Sequence, residues 1–70
     1  MAVIDVYYAK RIHDGAYIVK AWETKDSMYP LLFNNQFIGY TLTEVKRLVR
    51  EKLKAKYNKV SLRWHDQGNA

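Results

Sequence analysis

Apolar and polar positions alternate at the start of the chain. "VIDVYYAKRI" and "AYIVKAWE" are rich in β-branched and aromatic residues and flank Asp14-Gly15, which predicts two strands joined as a hairpin. With Asp14-Gly15 as a tight turn, His13 faces Ala16 and Tyr7 stands opposite Trp22. One face then carries Ile4, Val6, Tyr8, Lys10 and Ile12 with Tyr17, Val19 and Ala21. The other carries Asp5, Tyr7, Ala9 and Arg11 with Ile18, Lys20 and Trp22. The first face is the more apolar and is expected to meet the core. A one-residue slip would exchange the faces, so the assignment rests on the turn.

"TKDSMYP" reads as a loop, with Pro30 holding Tyr29 extended. "LLFNNQFIGY" fits either a third strand or a tight hairpin turning at Asn34-Asn35, where Asn tolerates positive φ. Gly39 marks a backbone turn. The period then changes: Val45, Leu48, Val49 and Leu53 recur at helical spacing, with Leu42 at the margin of the stripe. Thr41 and Glu44 form the T-x-x-E capping box that opens such a helix. Asn58 is the expected C-terminal cap, and Lys54 and Lys56 suit the negative end of the helix dipole. "KVSLRWH" returns to alternation, with Val60, Leu62 and Trp64 inward and Lys59, Ser61, Arg63 and His65 outward.

The resulting order is β-β-β-α-β. It predicts an α+β domain over residues 1–66, an antiparallel sheet of three to four strands with one helix on one face, and a flexible tail at 67–70. The other sheet face is left open. Seventy residues allow one small domain, and a chain of this length buries only roughly 60% of its unfolded surface.

Charge adds to this picture because it is unevenly placed. Residues 1–40 balance Lys10, Arg11, Lys20 and Lys25 against Asp5, Asp14, Glu23 and Asp26. The helix carries Lys46, Arg47, Arg50, Lys52, Lys54 and Lys56 against Glu44 and Glu51, so it supplies most of the net +5. Lys46, Arg50 and Lys54, spaced by four, with Arg47 beside them, form a candidate ridge for phosphates or an acidic protein surface. The face offers almost no Asn, Gln or Ser to read base edges, so contact with nucleic acid would be contact with its backbone. The plain alternative is a solvated helix back with neighbours such as Arg47 and Glu51 paired.

The open sheet face is the second candidate. It combines Tyr7 and Trp22 with Arg11, Lys20, Arg63 and His65. Aromatics interleaved with cations can stack unpaired bases, anchor a protein partner, or be covered by a second copy of the chain. The plain reading is a cross-strand aromatic pair that stabilises a small sheet.

Chemistry of other kinds finds little support. No Cys is present, and Ser27 and Ser61 have no evident base and orienting carboxylate. His13-Asp14 and His65-Asp66 lack further ligands at suitable spacing, so neither a metal nor another cofactor is expected. "NNQFIG" and "HDGA" are not phosphate-cradling loops. The start "MAVIDVYYAK" has no basic and then apolar leader pattern, and no apolar run approaches the roughly 20 residues of a membrane span. A cytoplasmic protein without enzymatic activity is the expectation.

The element order over residues 5–56, with "GYTLTE" opening the helix, resembles the three-strand-plus-helix DNA-binding domains of phage integrases, whose sheet enters the major groove. The strand after the helix and the neutral hairpin depart from that pattern, and no functional residue carries over. The functional expectation is a binding or regulatory protein that contacts nucleic acid, or a complex that handles it, through the helix ridge and the sheet face. The alternatives are a protein-binding module or inhibitor, such as a phage or plasmid encodes, and a homodimeric structural protein.

Overall fold

A computed structural model of the chain describes residues 2–24 and 32–69; most of the loop expected at "TKDSMYP" lies outside them. The elements are β1 (Ala2–Lys10), β2 (Tyr17–Glu23), β3 (Phe33–Phe37), α1 (Leu42–Lys56) and β4 (Val60–Asn69). This is the expected α+β order. "FNNQF" is a strand rather than a hairpin tip, paired without interruption from Tyr17↔Phe37 to Ala21↔Phe33.

The four strands lie in the order β3-β2-β1-β4. The pairs β1–β2 and β2–β3 are antiparallel, as expected, but β4 runs parallel to β1. The fully antiparallel sheet is thus corrected to a mixed one. The reason is the length of α1. Its 15 residues carry the chain back about 22 Å, so β4 must set out in the direction of β3, which is also that of β1. β4 continues to Asn69, beside Lys10, past the expected start of a tail; an irregularity separates its Tyr8 and Lys10 pairings.

The hairpin register also differs from the expectation. Tyr7 faces Lys20 and Asp5 faces Trp22. Asp14 causes this shift. Its carboxylate is gripped by the Arg11 guanidinium (Nε to Oδ1, 3.0 Å) and accepts the Ala16 N–H at 3.0 Å. The Arg11 N–H donates to the Ala16 carbonyl at 2.7 Å, so Ile12, His13, Asp14 and Gly15 form the loop, with Gly15 at φ 71°. Moving the pairing by two residues leaves the side chains of the paired strands on their expected faces, but Ile12, expected on the core face, falls in the loop and is 75% exposed.

Ile4, Val6, Val19, Ala21 and Phe37 from the sheet and Val45, Val49 and Leu53 from α1 form the buried core. The helix starts as the capping box requires: Glu44 N–H donates to Thr41 Oγ1 (3.2 Å) and Thr41 N–H to Glu44 Oε1 (2.9 Å). At the other end Tyr57, not Asn58, is the cap; its N–H donates to the Leu53 carbonyl. The Tyr57 hydroxyl donates to Glu23 at 2.8 Å and ties the helix exit to β2. The molecule measures 36 × 21 × 15 Å, a slab one sheet and one helix thick, which leaves one sheet face without a covering layer among the described residues.

Candidate binding surfaces

The uncovered face is organised by side chains from three adjacent strands. Tyr7 of β1 stacks on Trp22 of β2, with centroids 4.8 Å apart and planes at 20°. On its other side Tyr7 stacks on His65 of β4, at 4.4 Å and 13°. Tyr7 and His65 are direct neighbours across the ladder, so near-parallel rings this close must stand on edge, normals along the inter-strand direction. Both faces of Tyr7 are covered. Tyr7 therefore offers no face to a base, and only the outer faces of Trp22 and His65 remain.

Beside this stack lies a residue whose importance was not read from the sequence. Asp5 is only 8% exposed, although it points to the open face. Its Oδ1 sits 2.9 Å from His65 Nε2 and 3.5 Å from Arg63 Nε, and its Oδ2 accepts the Thr24 hydroxyl at 2.9 Å. The hydrogen bond from His65 holds the Asp5 carboxyl below the usual carboxylate range, helped by Thr24 and Arg63 and opposed by burial. The ionised carboxylate can only accept, so His65 Nε2 is the donor of this bond. A signal existed in the sequence: an acid in the middle of "VIDVYY" is out of place in a strand unless it is paired.

The predicted cations of this face have different fates. Lys20 is exposed beside Tyr7. Arg63 remains 58% exposed while it flanks Asp5. Arg11 is bound up with Asp14 and holds the hairpin loop rather than presenting a free charge. The two His-Asp neighbours differ: His13, largely exposed, lies 3.8 Å from Asp14 Oδ2, whereas His65 turns away from Asp66 to Asp5 and Asp66 accepts the Gly68 N–H. Among the described residues no three His, Asp or Glu side chains are grouped as a metal would need.

On α1 the expected ridge is divided. The ammonium of Lys46 lies 5.3 Å from the Trp64 ring centre and 5.8 Å from that of Tyr8, within cation–π range. Lys46 thus turns down towards β1 and β4. Lys52 flanks the stripe on the other side, 5.8 Å from the Phe33 ring of β3. Advancing 100° per residue, Arg47, Arg50 and Lys54 occupy the back between these flanks. All three are exposed. Arg47 reaches Glu51 only at 4.0 Å, a surface pair of little energetic weight. The helix back therefore presents cations whose hydration a partner could replace.

Tyr8 is raised above the ordinary tyrosine value by burial and by Asp66 nearby; with Trp64, which it meets edge-on at 6.0 Å, it belongs to the rim of the core. No helix among the described residues is long and apolar enough to cross a membrane. No family model, curated protein or solved structure matches the chain.

Proposed function

We propose that this is a small non-enzymatic binding protein that holds double-helical nucleic acid by its phosphate backbone, through Arg47, Arg50 and Lys54. The supporting observation is the division of the helix surface: Lys46, half-buried, lies over the Trp64 and Tyr8 rings, while these three cations are exposed on the helix back. Cations of this kind bind phosphate without reading sequence. The sheet face supports duplex over single strands, because the central ring of its aromatic stack has no free face.

A specific observation favours one other reading. The ordered Trp22–Tyr7–His65 stack, with Arg63 and Lys20 at its sides, resembles the preformed aromatic anchors of protein interfaces. In that reading the face docks on a nucleic-acid-handling protein and the helix charges steer the approach. Competition between short duplex and single-stranded oligonucleotides separates the two. The primary reading expects the duplex to win and the fluorescence of Trp22, read in a Trp64→Phe variant that leaves it as the one tryptophan, to stay unquenched. Stronger single-strand binding with quenching would contradict it, and absence of both would favour the protein partner.

A further inference from the structure

The edges of the sheet are not equivalent. β4 is guarded: it carries Arg63, His65 and Asp66 and is interrupted by an irregularity near Tyr8, devices that discourage strand addition. β3, "FNNQF", has no charge, no Pro and unbroken pairing with β2. On a chain of net charge +5, it is the strand edge along which two copies can approach without setting like charges against each other.

The backbone directions can be followed across the sheet. The Arg11 N–H donates to the Ala16 carbonyl, so even-numbered residues of β2 turn their backbone groups to β1 and odd-numbered ones to β3. The Leu32 N–H donating to the Ala21 carbonyl agrees with this. In β3, then, Phe33, Asn35 and Phe37 bond inward, and Asn34 and Gln36 point their N–H and C=O outward. The Gln36 N–H is met by the Oδ1 of its neighbour Asn35 at 2.8 Å, a local substitute for an incoming carbonyl.

We propose that β3 pairs with β3 of a second copy, antiparallel about Asn35, joining the sheets edge to edge. In this register Asn34 lies opposite Gln36 of the partner subunit, and each exchanges both N–H···O bonds as a narrow pair. Phe33 lies opposite Phe37 of the partner subunit on the helix side, making an aromatic cross-strand pair. Amides meet amides on the open side. Ile38, 62% exposed, lies just beyond the strand at each end of the seam, so apolar surface is covered there. The facing flanks of the helices carry Leu48, Lys52 and Ala55, with the Lys52 ammoniums at opposite ends, and the Arg47, Arg50 and Lys54 backs are turned away. The near-palindrome F-N-N-Q-F is what a two-fold seam requires.

Because the chain has no Cys, a single introduced thiol reports the seam. Asn35 meets its own copy in a wide pair, with Cα atoms about 4.5 Å apart, within disulfide reach. The experiment is sedimentation of the full chain from about 10 to 500 µM, with mild oxidation of Asn35→Cys and of Arg63→Cys on β4 as the control. The expected results are a mass about twice 8.3 kDa, rapid cross-linking of Asn35→Cys only, and a monomer for Asn35→Lys with an unchanged circular dichroism spectrum. A wild-type monomer throughout, or a dimer in which Asn35→Cys cross-links no faster than Arg63→Cys, overturns the proposal.

Discussion

His65 Nε2 lies 2.9 Å from Asp5 Oδ1, a bond between residues near opposite ends of the chain that fastens the parallel strand β4 to β1. Asp5 also takes the Thr24 hydroxyl from the end of β2. One carboxylate thereby links three strands on a face that has no apolar core of its own. Removing a buried acceptor leaves its donors unsatisfied. Asp5→Ala is expected to lower unfolding stability by about 1–3 kcal/mol, measured by urea denaturation at neutral pH. His65→Ala should cost less, since Thr24 and Arg63 remain.

The same carboxylate sets a pH dependence. Asp5 is held below its unfolded value by its hydrogen bonds, so the folded state binds fewer protons than the unfolded one as the pH falls. Its stabilisation is complete above the unfolded carboxylate value of about 3.9 and is lost as pH falls through the folded value. Asp14 and Glu44 act in the same direction, through Arg11 and through the Thr41 backbone N–H. Urea midpoints between about pH 5 and pH 2 should decline, with a shallower decline for Asp5→Asn. An equal slope in both proteins would count against the paired Asp5.

Tyr7 has a ring on each side, whereas Trp22 and His65 each have Tyr7 on one. Aromatic pairs contribute about 0.5–1.5 kcal/mol beyond burial. A double-mutant cycle of Tyr7 and Trp22 should give a coupling of about 0.5–1.5 kcal/mol. A coupling near zero would show that the rings are adjacent without interacting.

At the helix start, Thr41→Ala removes the oxygen that accepts the Glu44 N–H. The expected loss is about 1 kcal/mol, read as a lower thermal midpoint, without change in nucleic-acid affinity at temperatures where both proteins are folded.

The parts of the fold legible in the sequence are those set by near neighbours. The Thr41–Glu44 box and the Val45, Val49, Leu53 stripe follow from spacing within one helix. The strand faces follow from alternation, and they survived the register error because the shift was even. What needed the third dimension was less visible. The Asp14 side chain competes with the Asp-Gly turn for the hairpin loop, and a two-residue reading has no term for that competition. The parallel course of β4 follows from the length of α1 once the sheet order is known. Lys46 left the ridge because Tyr8 and Trp64, distant in sequence, place two rings beneath it. Tyr7 and Trp22 were rightly placed on one face, but the interposition of Tyr7 between Trp22 and His65 depends on the β1–β4 register.

The division of cations on α1 can be tested directly. Anisotropy of a labelled duplex should be titrated between about 50 and 200 mM salt for the wild type, Lys46→Gln, Arg50→Gln and Lys54→Gln. Each phosphate contact contributes about 0.9 to the slope of log affinity against log salt. Arg50→Gln and Lys54→Gln should each lower affinity and flatten the slope by nearly one, while Lys46→Gln should leave the slope unchanged and lower stability instead. Equal slopes in all four proteins, or no duplex binding at 50 mM salt, would contradict the claim that the helix back neutralises phosphate.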